Sequence, residues 1–263
     1  PGWRNAKHAA QWASSLKGYA YPAFGDKAID QIDTPDVMAA LSPIWATKTE
    51  TAYRLRGRIE TVLGYAKVAG LRSGDNPARW KDHIDHMLPA KGAVAKTDHY
   101  ASLPYADLPA FMVRLQAQDG AGARALEFAI LTACRTGEVL GARWDELDAD
   151  LTLWTLPPAR MKAGALHRAP LSDPARALLR RMATVRQGDF VFTGARPGRP
   201  LSNNALLMLV RRLGVADVAT PHGFRSTFRT WAAERTAYPA DVCEAALAHT
   251  QGDKVVAAYQ RGD

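Results

Sequence analysis

The sequence predicts a mainly α-helical protein with one small antiparallel β-sheet. Apolar side chains recur at three- and four-residue intervals through much of the chain, most regularly in residues 51–69 and 123–133, as on the buried face of a helix. Two short segments, residues 151–157 and 166–171, are instead rich in β-forming residues and flank a turn that contains Gly164. They predict a β-hairpin within an otherwise helical fold.

The chain has 263 residues, of which 47% are hydrophobic, which is enough for two domains with their own cores. It contains no secretory signal and no run near the ~18 apolar residues of a membrane span, which predicts a soluble, cytoplasmic protein. Its two cysteines, Cys134 and Cys243, lie in apolar helical segments without a metal-ligand or redox spacing. They are expected to be reduced core thiols.

The basic composition predicts a polyanionic partner. The formal net charge is +8 and the pI is about 9.6, and lysine and arginine attract phosphate groups and release their counterions. Charge alone does not distinguish DNA from RNA or from a membrane. Arg54, Arg56 and Arg58 are expected on the face of the 51–69 helix opposite its apolar residues. Such a face is either solvated or a surface that contacts phosphate, and both interpretations stay open.

Local signals predict where some elements begin and end. The segment GYAYPAFG at residues 18–25 combines glycine and proline and is expected to end the first helix. Thr34 is expected to cap the second helix, because Pro35 suits a first helical position. Further along, DFVF at residues 189–192 predicts a short apolar strand.

Arg135 directly follows the apolar helix at residues 123–133. Gly137 is expected to end that helix, and a short helix is expected to begin at Glu138. The simplest role for Arg135 is a structural ion pair with Glu138. A carboxylate can also orient an arginine that binds substrate, so both roles are compatible.

The C-terminal stretch, residues 220–263, concentrates side chains suited to phosphate chemistry. His222 and Arg225 are one turn apart on a predicted helix, so both can reach one ligand. His249 follows a second predicted helix, and Tyr259 lies on a short final one. Each residue alone is more often an ordinary, partly buried side chain than a catalyst.

The motifs together occur in the order of a known family. They read RTGE at Arg135, MKAG at Lys162, HGFR from His222 to Arg225, LAH at His249 and AAYQ at Tyr259. This order resembles the catalytic signature of the tyrosine recombinases, especially the integrases of phages and genomic islands. One departure is that TACR places Ala133 and Cys134 before the first arginine, where many relatives have glycine. The change is small and leaves the charged residues in place.

The resemblance implies a two-domain tyrosine recombinase architecture. An all-helical, SAM-like core-binding domain is expected at residues 1–88, an extended basic linker at 89–103 and the catalytic integrase domain at 104–263. The two domains would clamp DNA. Candidates for DNA contacts are the basic residues Arg54, Arg56, Arg58, Lys91 and Lys96. Because the chain starts without methionine and relatives usually carry a further N-terminal domain and more C-terminal residues, it is expected to be a piece of a longer protein.

The resemblance also implies six catalytic residues: Arg135, Lys162, His222, Arg225, His249 and Tyr259. Tyr259 would attack the DNA phosphate, although a phenol with a pKa of about 10 needs cationic neighbours or a base to lose its proton. The arginines would bind phosphate oxygens, with Glu138 orienting the first of them. Lys162 would protonate the departing 5′ oxygen. The histidines would contact the phosphate or take the tyrosine proton, in roles that the sequence leaves open.

The implied function is site-specific strand exchange that integrates or excises a mobile element. Double-stranded attachment sites would be the substrate, a homotetramer on DNA the active form, and a DNA-bending protein or excisionase a candidate partner. No metal or cofactor is implied, since a 3′-phosphotyrosine retains the bond energy. Two alternatives stay open: a type IB topoisomerase-like enzyme, which relaxes supercoils without choosing a sequence, and a catalytically inactive DNA-binding relative.

Overall fold

The computed structural model describes residues 6–95, 100–194, 196 and 198–249. Within them, the helices and one two-stranded antiparallel sheet confirm the predicted fold class. The chain divides into two compact units, Pro1–Asp98 (unit 1) and His99–Asp263 (unit 2). The division falls inside the segment predicted as a linker. None of the described helices is both long and apolar enough to cross a membrane.

Unit 1 is all-helical in its described residues. Its helices are α1 (Ala6–Ser15), α2 (Tyr21–Phe24), α3 (Thr34–Trp45), α4 (Thr49–Val68) and α5 (Lys91–Val94), with a π-helical turn at Leu16–Ala20 and a 3₁₀ turn at Ile84–His86. The core lies mainly between α3 and α4, whose buried apolar residues include Val37, Leu41, Ala52, Leu55, Ile59 and Leu63. Trp80 packs against this core by stacking on Trp45, with ring centroids 5.7 Å apart.

Two of the predicted boundaries in unit 1 are wrong. The chain stays helical through residues 18–24, because the π-helical turn at Leu16–Ala20 continues α1 directly into α2, where Pro22 is the second residue. The cap of α3 is Asp33, one residue before Thr34. The Asp33 carboxylate accepts from the Asp36 N–H, and the Asp36 carboxylate accepts from the Asp33 N–H, both at 3.1 Å. This reciprocal pair satisfies two N–H groups that a helix start leaves unpaired.

The arginine face predicted on α4 is only partly exposed. Arg54 faces solvent. Arg56 is buried and donates to the Ala78 carbonyl at 2.6 Å, and Arg58 is buried and donates to the Gln11 carbonyl at 2.8 Å. The prediction of a shared outward surface is therefore wrong for Arg56 and Arg58, because carbonyl groups of unit 1 already bind their guanidinium groups.

The segment predicted as an extended linker begins with the short helix α5, so an extended conformation is wrong there. The ammonium of Lys91 pairs with the carboxylate of Glu50, which also accepts from Arg54 at 2.7 Å. Hydrogen bonds from Lys91 and then Arg54 lower the pKa of Glu50, so this carboxylate is charged at neutral pH. The three side chains leave one net positive charge at this surface. Lys96 lies outside the described residues.

Unit 2 contains the longer series of elements. Its described helices are α6 (Leu108–Gln116), α7 (Ala121–Thr132), α8 (Thr136–Leu140), α9 (Asp173–Thr184), α10 (Ala205–Arg212), α11 (Gly223–Arg235) and α12 (Ala240–Ala246). Strands β1 (Leu153–Leu156) and β2 (His167–Pro170) pair antiparallel, with Leu156 opposite His167. They confirm the predicted hairpin.

The core of unit 2 is built around α7. Its Phe128 packs on Trp154 of β1 and on Phe192, with ring centroids 5.3 and 5.6 Å apart. All three side chains are buried. This core fixes two elements that matter for the site, namely the C-terminal end of α7, next to Arg135, and the hairpin that carries Lys162.

Residues 189–192 do not form the predicted strand. Phe190 makes one isolated bridge with Arg143, and the Val191 N–H donates to the Ala142 carbonyl at 2.9 Å. The pairing stops because the partner segment enters a 3₁₀ turn, Trp144–Glu146, directly after the bridge. The segment is therefore paired as expected but too briefly to be a strand.

Candidate active site

Arg135 is held at the junction of α7 and α8. Ala133 ends α7 with a left-handed backbone, φ 50°, and this turn places Arg135 just before α8. Glu138 is buried and accepts from the Arg135 backbone N–H at 2.8 Å and from its guanidinium at 2.9 Å. The guanidinium also donates to the Ala248 carbonyl at 3.0 Å. The ion pair considered from the sequence is thus present, and it orients the arginine.

The two cysteines are free and buried, as predicted. Burial raises the pKa of Cys134 to about 12, so its thiol stays protonated beside the site. A protonated, buried thiol is a poor nucleophile, and Cys134 therefore acts as a small packing residue.

Arg225 lies on α11 and is only 5% exposed. Its guanidinium donates to the carbonyl oxygens of Ala133 and Leu247, the latter at 2.6 Å, and lies 3.1 Å from Nε2 of His249. Burial and then the positive charge of Arg135 lower its pKa, but an arginine stays charged at any working pH. Arg135 and Arg225 therefore bind carbonyls of adjacent residues after α12, which brings two fixed guanidinium groups to one place.

The start of α11 packs so closely on residue 101 that only glycine fits at Gly223. The Thr220 N–H donates to the Ala101 carbonyl at 2.9 Å, and a methyl group at Gly223 would overlap that carbonyl oxygen. We expect Gly223→Ala to lower the free energy of unfolding in urea by about 2 kcal/mol, as overpacking does. Gly122 on α7 has open space around it, so Gly122→Ala is expected to stabilise by roughly 0.5–1 kcal/mol. Equal effects of the two changes would contradict this close packing.

His249 follows α12 and connects Arg225 to an acidic side chain. Its Nδ1 lies 2.6 Å from one oxygen of Glu244, and the other oxygen accepts from Arg229 Nε at 2.6 Å. The Glu244 backbone carbonyl also accepts from the His249 N–H at 3.0 Å. The sequence predictions included neither Glu244 nor Arg229. The sequence carried no signal for Glu244, because a left-handed turn at Ala248 separates α12 from His249.

His222 stands at the N-terminal end of α11, where its ring packs edge-on against Tyr100 with centroids 4.9 Å apart. The pKa of His222 is lowered mainly by partial burial of its ring. Charge repulsion from four further side chains lowers this pKa as well: Arg225, Arg135, His249 and Lys162. His222 is therefore neutral at neutral pH, and these four side chains lie close enough for their charges to act on it.

The hairpin carries Lys162 and also His167, a histidine that the sequence predictions missed. Lys162 is exposed on the turn after the buried Met161. His167 begins β2 on the inward side of the strand and is partly buried. Burial lowers its pKa, Glu138 opposes this effect, and the charges of the two site arginines add to it. The alternation of inward and outward residues on β2 was the signal for His167.

The structure brings together five of the six predicted catalytic residues, called here the basic cluster: Arg135, Lys162, His222, Arg225 and His249. Tyr259 lies outside the described residues. Across the described part of the chain, no three His, Cys, Asp or Glu side chains group as a metal site requires. Guanidinium groups oriented in this way are well suited to bind the oxygens of a phosphate.

Two family models match the chain. The model described as "Phage integrase central domain" matches residues 1–83, and the model described as "Phage integrase family" matches residues 105–263. The second match alone covers more than half of the chain.

Relatives of similar sequence are prophage integrases. The chain is 35% identical over 251 residues to prophage integrase IntZ of Escherichia coli (strain K12), a match to 94% of this chain and 60% of that protein. It is 33% identical over 255 residues to prophage integrase IntA of the same strain, a match to 95% of this chain and 59% of that protein. The chain thus spans about 60% of the length of these relatives.

The fold is similar to that of lambda integrase. The chain matches the structure of a lambda integrase tetramer bound to a Holliday junction with a TM-score of 0.73 and 16% identity, over 95% of this chain and 73% of that one. At this identity the likeness concerns the fold. The two family models confirm the resemblance indicated by the motifs, and the chain belongs to the phage integrase family of tyrosine recombinases.

Proposed function

We propose that this chain is the core-binding and catalytic part of a site-specific recombinase that cleaves and rejoins DNA through a covalent 3′-phosphotyrosine. The observation that carries the proposal is the basic cluster, in which backbone carbonyls fix two arginines beside a lysine and two histidines. Phosphoryl transfer needs positive charge at the nonbridging oxygens, a nucleophile, and an acid for the leaving oxygen. The basic cluster supplies the charge and the acid, and Tyr259 is the proposed nucleophile.

In the proposed reaction, the Tyr259 oxygen loses its proton to a base and attacks the phosphorus. The bond from phosphorus to the 5′ oxygen breaks, and Lys162 donates a proton to that oxygen. Arg135 and Arg225 bind the nonbridging oxygens, and Glu138 keeps the first of them in place. Rejoining reverses these steps with the 5′-hydroxyl of another strand, so the phosphotyrosine conserves the energy of the broken bond.

We also propose the domain roles expected for the family. Residues 1–88 would form the core-binding domain, 89–103 the linker and 104–263 the catalytic domain. The net charge of +8 supports a DNA partner. Arg54, Lys91 and Lys96 remain candidates for phosphate contacts, whereas the buried arginines of α4 are not.

Strand exchange between two duplexes cleaves four strands, so the proposed active assembly is a homotetramer on DNA. The lambda integrase tetramer bound to a Holliday junction, which has a similar fold, supports this choice. A DNA-bending protein or an excisionase is the proposed accessory partner, and the cytoplasm, where bacterial DNA lies, is the proposed location. Sizing of the complex on paired attachment sites tests the tetramer, and fewer than four protomers would contradict it.

The test of the function uses a nicked suicide duplex that carries the junction sequence from the ends of the mobile element. The nick lets the short cleaved strand diffuse away, so a covalent intermediate accumulates. We expect the wild-type chain to form a protein–DNA adduct that survives denaturant, and Tyr259→Phe to form none, because it lacks the attacking oxygen. Both proteins should bind the duplex equally well, as measured by gel shift.

Three outcomes separate the candidate functions. An adduct that requires the junction sequence supports the recombinase. Relaxation of any supercoiled plasmid, without that sequence, supports a type IB topoisomerase-like enzyme. Tight binding without an adduct in either protein supports a catalytically inactive DNA-binding relative and contradicts our proposal for this chain.

A further inference from the structure

Four side chains of unit 2 form a continuous row of polar contacts. Arg229 Nε lies 2.6 Å from one oxygen of Glu244, the other oxygen lies 2.6 Å from His249 Nδ1, and His249 Nε2 lies 3.1 Å from Arg225 Nη2. The two arginines belong to α11, and Glu244 belongs to α12. The row therefore runs from outside the basic cluster to its buried arginine, Arg225.

The partners of His249 determine where its proton lies. A carboxylate only accepts hydrogen bonds, so Nδ1 must carry the proton that is shared with Glu244. A guanidinium only donates, so Nε2 must present a lone pair to Arg225. Both contacts select the same neutral tautomer, with the proton on Nδ1 and an unprotonated Nε2 that accepts from Arg225.

Glu244 is charged under working conditions. Hydrogen bonds from Arg229 first, and from His249 second, lower its pKa below the usual value for glutamate. It therefore accepts from Nδ1–H throughout the neutral range. Arg229 also holds the other carboxylate oxygen, which limits how far the Glu244 side chain can turn away from His249.

We propose that Glu244 is a positioning residue that holds His249 with its proton on Nδ1, so that Nε2 faces Arg225 as a proton acceptor. This inference rests on the proposed function of the basic cluster. It assigns a proton-transfer role to His249: with an unprotonated Nε2, His249 can accept a proton but cannot donate one from that nitrogen. The negative charge of Glu244 then balances the imidazolium that forms.

A simpler role for Glu244 is to tie α12 to α11 through Arg229. The two roles predict different results for Arg229→Gln, which breaks the tie between the helices but leaves the contact between Glu244 and His249. If Glu244 only ties the helices, Arg229→Gln and Glu244→Met have equal effects on the His249 tautomer and on the rate of DNA cleavage. If Glu244 positions the imidazole, Glu244→Met has the larger effect on both.

The first experiment measures the tautomer directly, by nitrogen-detected NMR of the free protein with ¹⁵N-labelled histidine. The His249 signals are assigned by their absence from His249→Asn. We expect the wild type and Arg229→Gln to show the proton on Nδ1, Glu244→Met to lose this preference, and Glu244→Gln to keep part of it through the amide oxygen. A wild-type proton on Nε2, or unchanged signals in Glu244→Met, overturns the proposal.

The second experiment measures single-turnover cleavage of the suicide duplex. Glu244→Met is expected to slow cleavage about 10- to 100-fold, as does loss of the carboxylate behind a metal-bound histidine, with DNA affinity unchanged. Because Glu244 acts through His249, the same change in a His249→Asn background should cost little more. Fully additive losses, or cleavage by Glu244→Met at the wild-type rate, overturn the proposal. A wild type without any adduct would instead overturn the proposed function, and the NMR result would still decide the role of Glu244.

Discussion

Replacing Arg225 with lysine is expected to slow formation of the covalent DNA adduct by about 10²- to 10³-fold, the loss typical of removing one fixed donor to a transition-state oxyanion. The native guanidinium donates to the carbonyls of Ala133 and Leu247 and still has N–H groups for a further acceptor. A lysine ammonium is a single point charge with three donors and no planar fork. It cannot serve two carbonyls and a phosphate oxygen in the same geometry.

The measurement is the single-turnover rate of adduct formation at saturating protein, below the temperature at which either protein unfolds. Arg235→Lys is the matched control, since Arg235 ends the same helix and donates to the Tyr105 hydroxyl at 2.9 Å from an exposed position. We expect that control to stay within about twofold of the wild type, as most surface changes do. Arg225→Lys at the wild-type rate would show that this guanidinium does not contact the phosphate in the rate-limiting step.

Much of the basic cluster was predictable because its members are close in sequence to elements with clear signals. Arg135 closely follows the apolar helix α7, and Arg225 lies in the first turn of α11. Lys162 lies on a hairpin whose two strands are recognisable by composition. In each case helical or strand periodicity predicts the position of the residue on its own element. Only the packing of the elements against one another then had to come from tertiary contacts.

The burial of arginines on α4 was not predictable in the same way. Arg56 lies between Ala52 and Ile59 at helical spacing, which puts it at the edge of the apolar face. Whether such an edge is solvated depends on what packs beside it. Here the partners are carbonyls of residues 11 and 78, which are distant in sequence, and periodicity carries no information about them.

Glu244 escaped prediction for a related reason. Its spacing from His249 spans the end of α12 and a turn at Ala248, where φ is 48°, so helical periodicity does not extend to the histidine. The contact exists because this left-handed residue turns the chain back toward α12. A positive φ at an alanine is uncommon, and a sequence pattern does not predict it.

Trp154→Ala is expected to lower the free energy of unfolding of unit 2 by about 4 kcal/mol, in the usual range for a buried tryptophan. The Trp154 side chain is fully buried, its ring packs on Phe128, and its Nε1 donates to Glu146 at 3.0 Å. Truncation leaves a cavity beside α7 and a buried carboxylate oxygen with one donor fewer. Both changes favour the unfolded state.

Urea unfolding followed by circular dichroism measures this change, with separate transitions for the two units if they unfold independently. Trp231→Ala on α11 is the control, because that ring is 42% exposed and should cost about 1 kcal/mol or less. A similar small loss for Trp154→Ala would mean that the hairpin is not anchored on α7. Lys162 would then lack a rigid support, and its proposed role as the acid would require another element to position it, because general acid catalysis depends on geometry first.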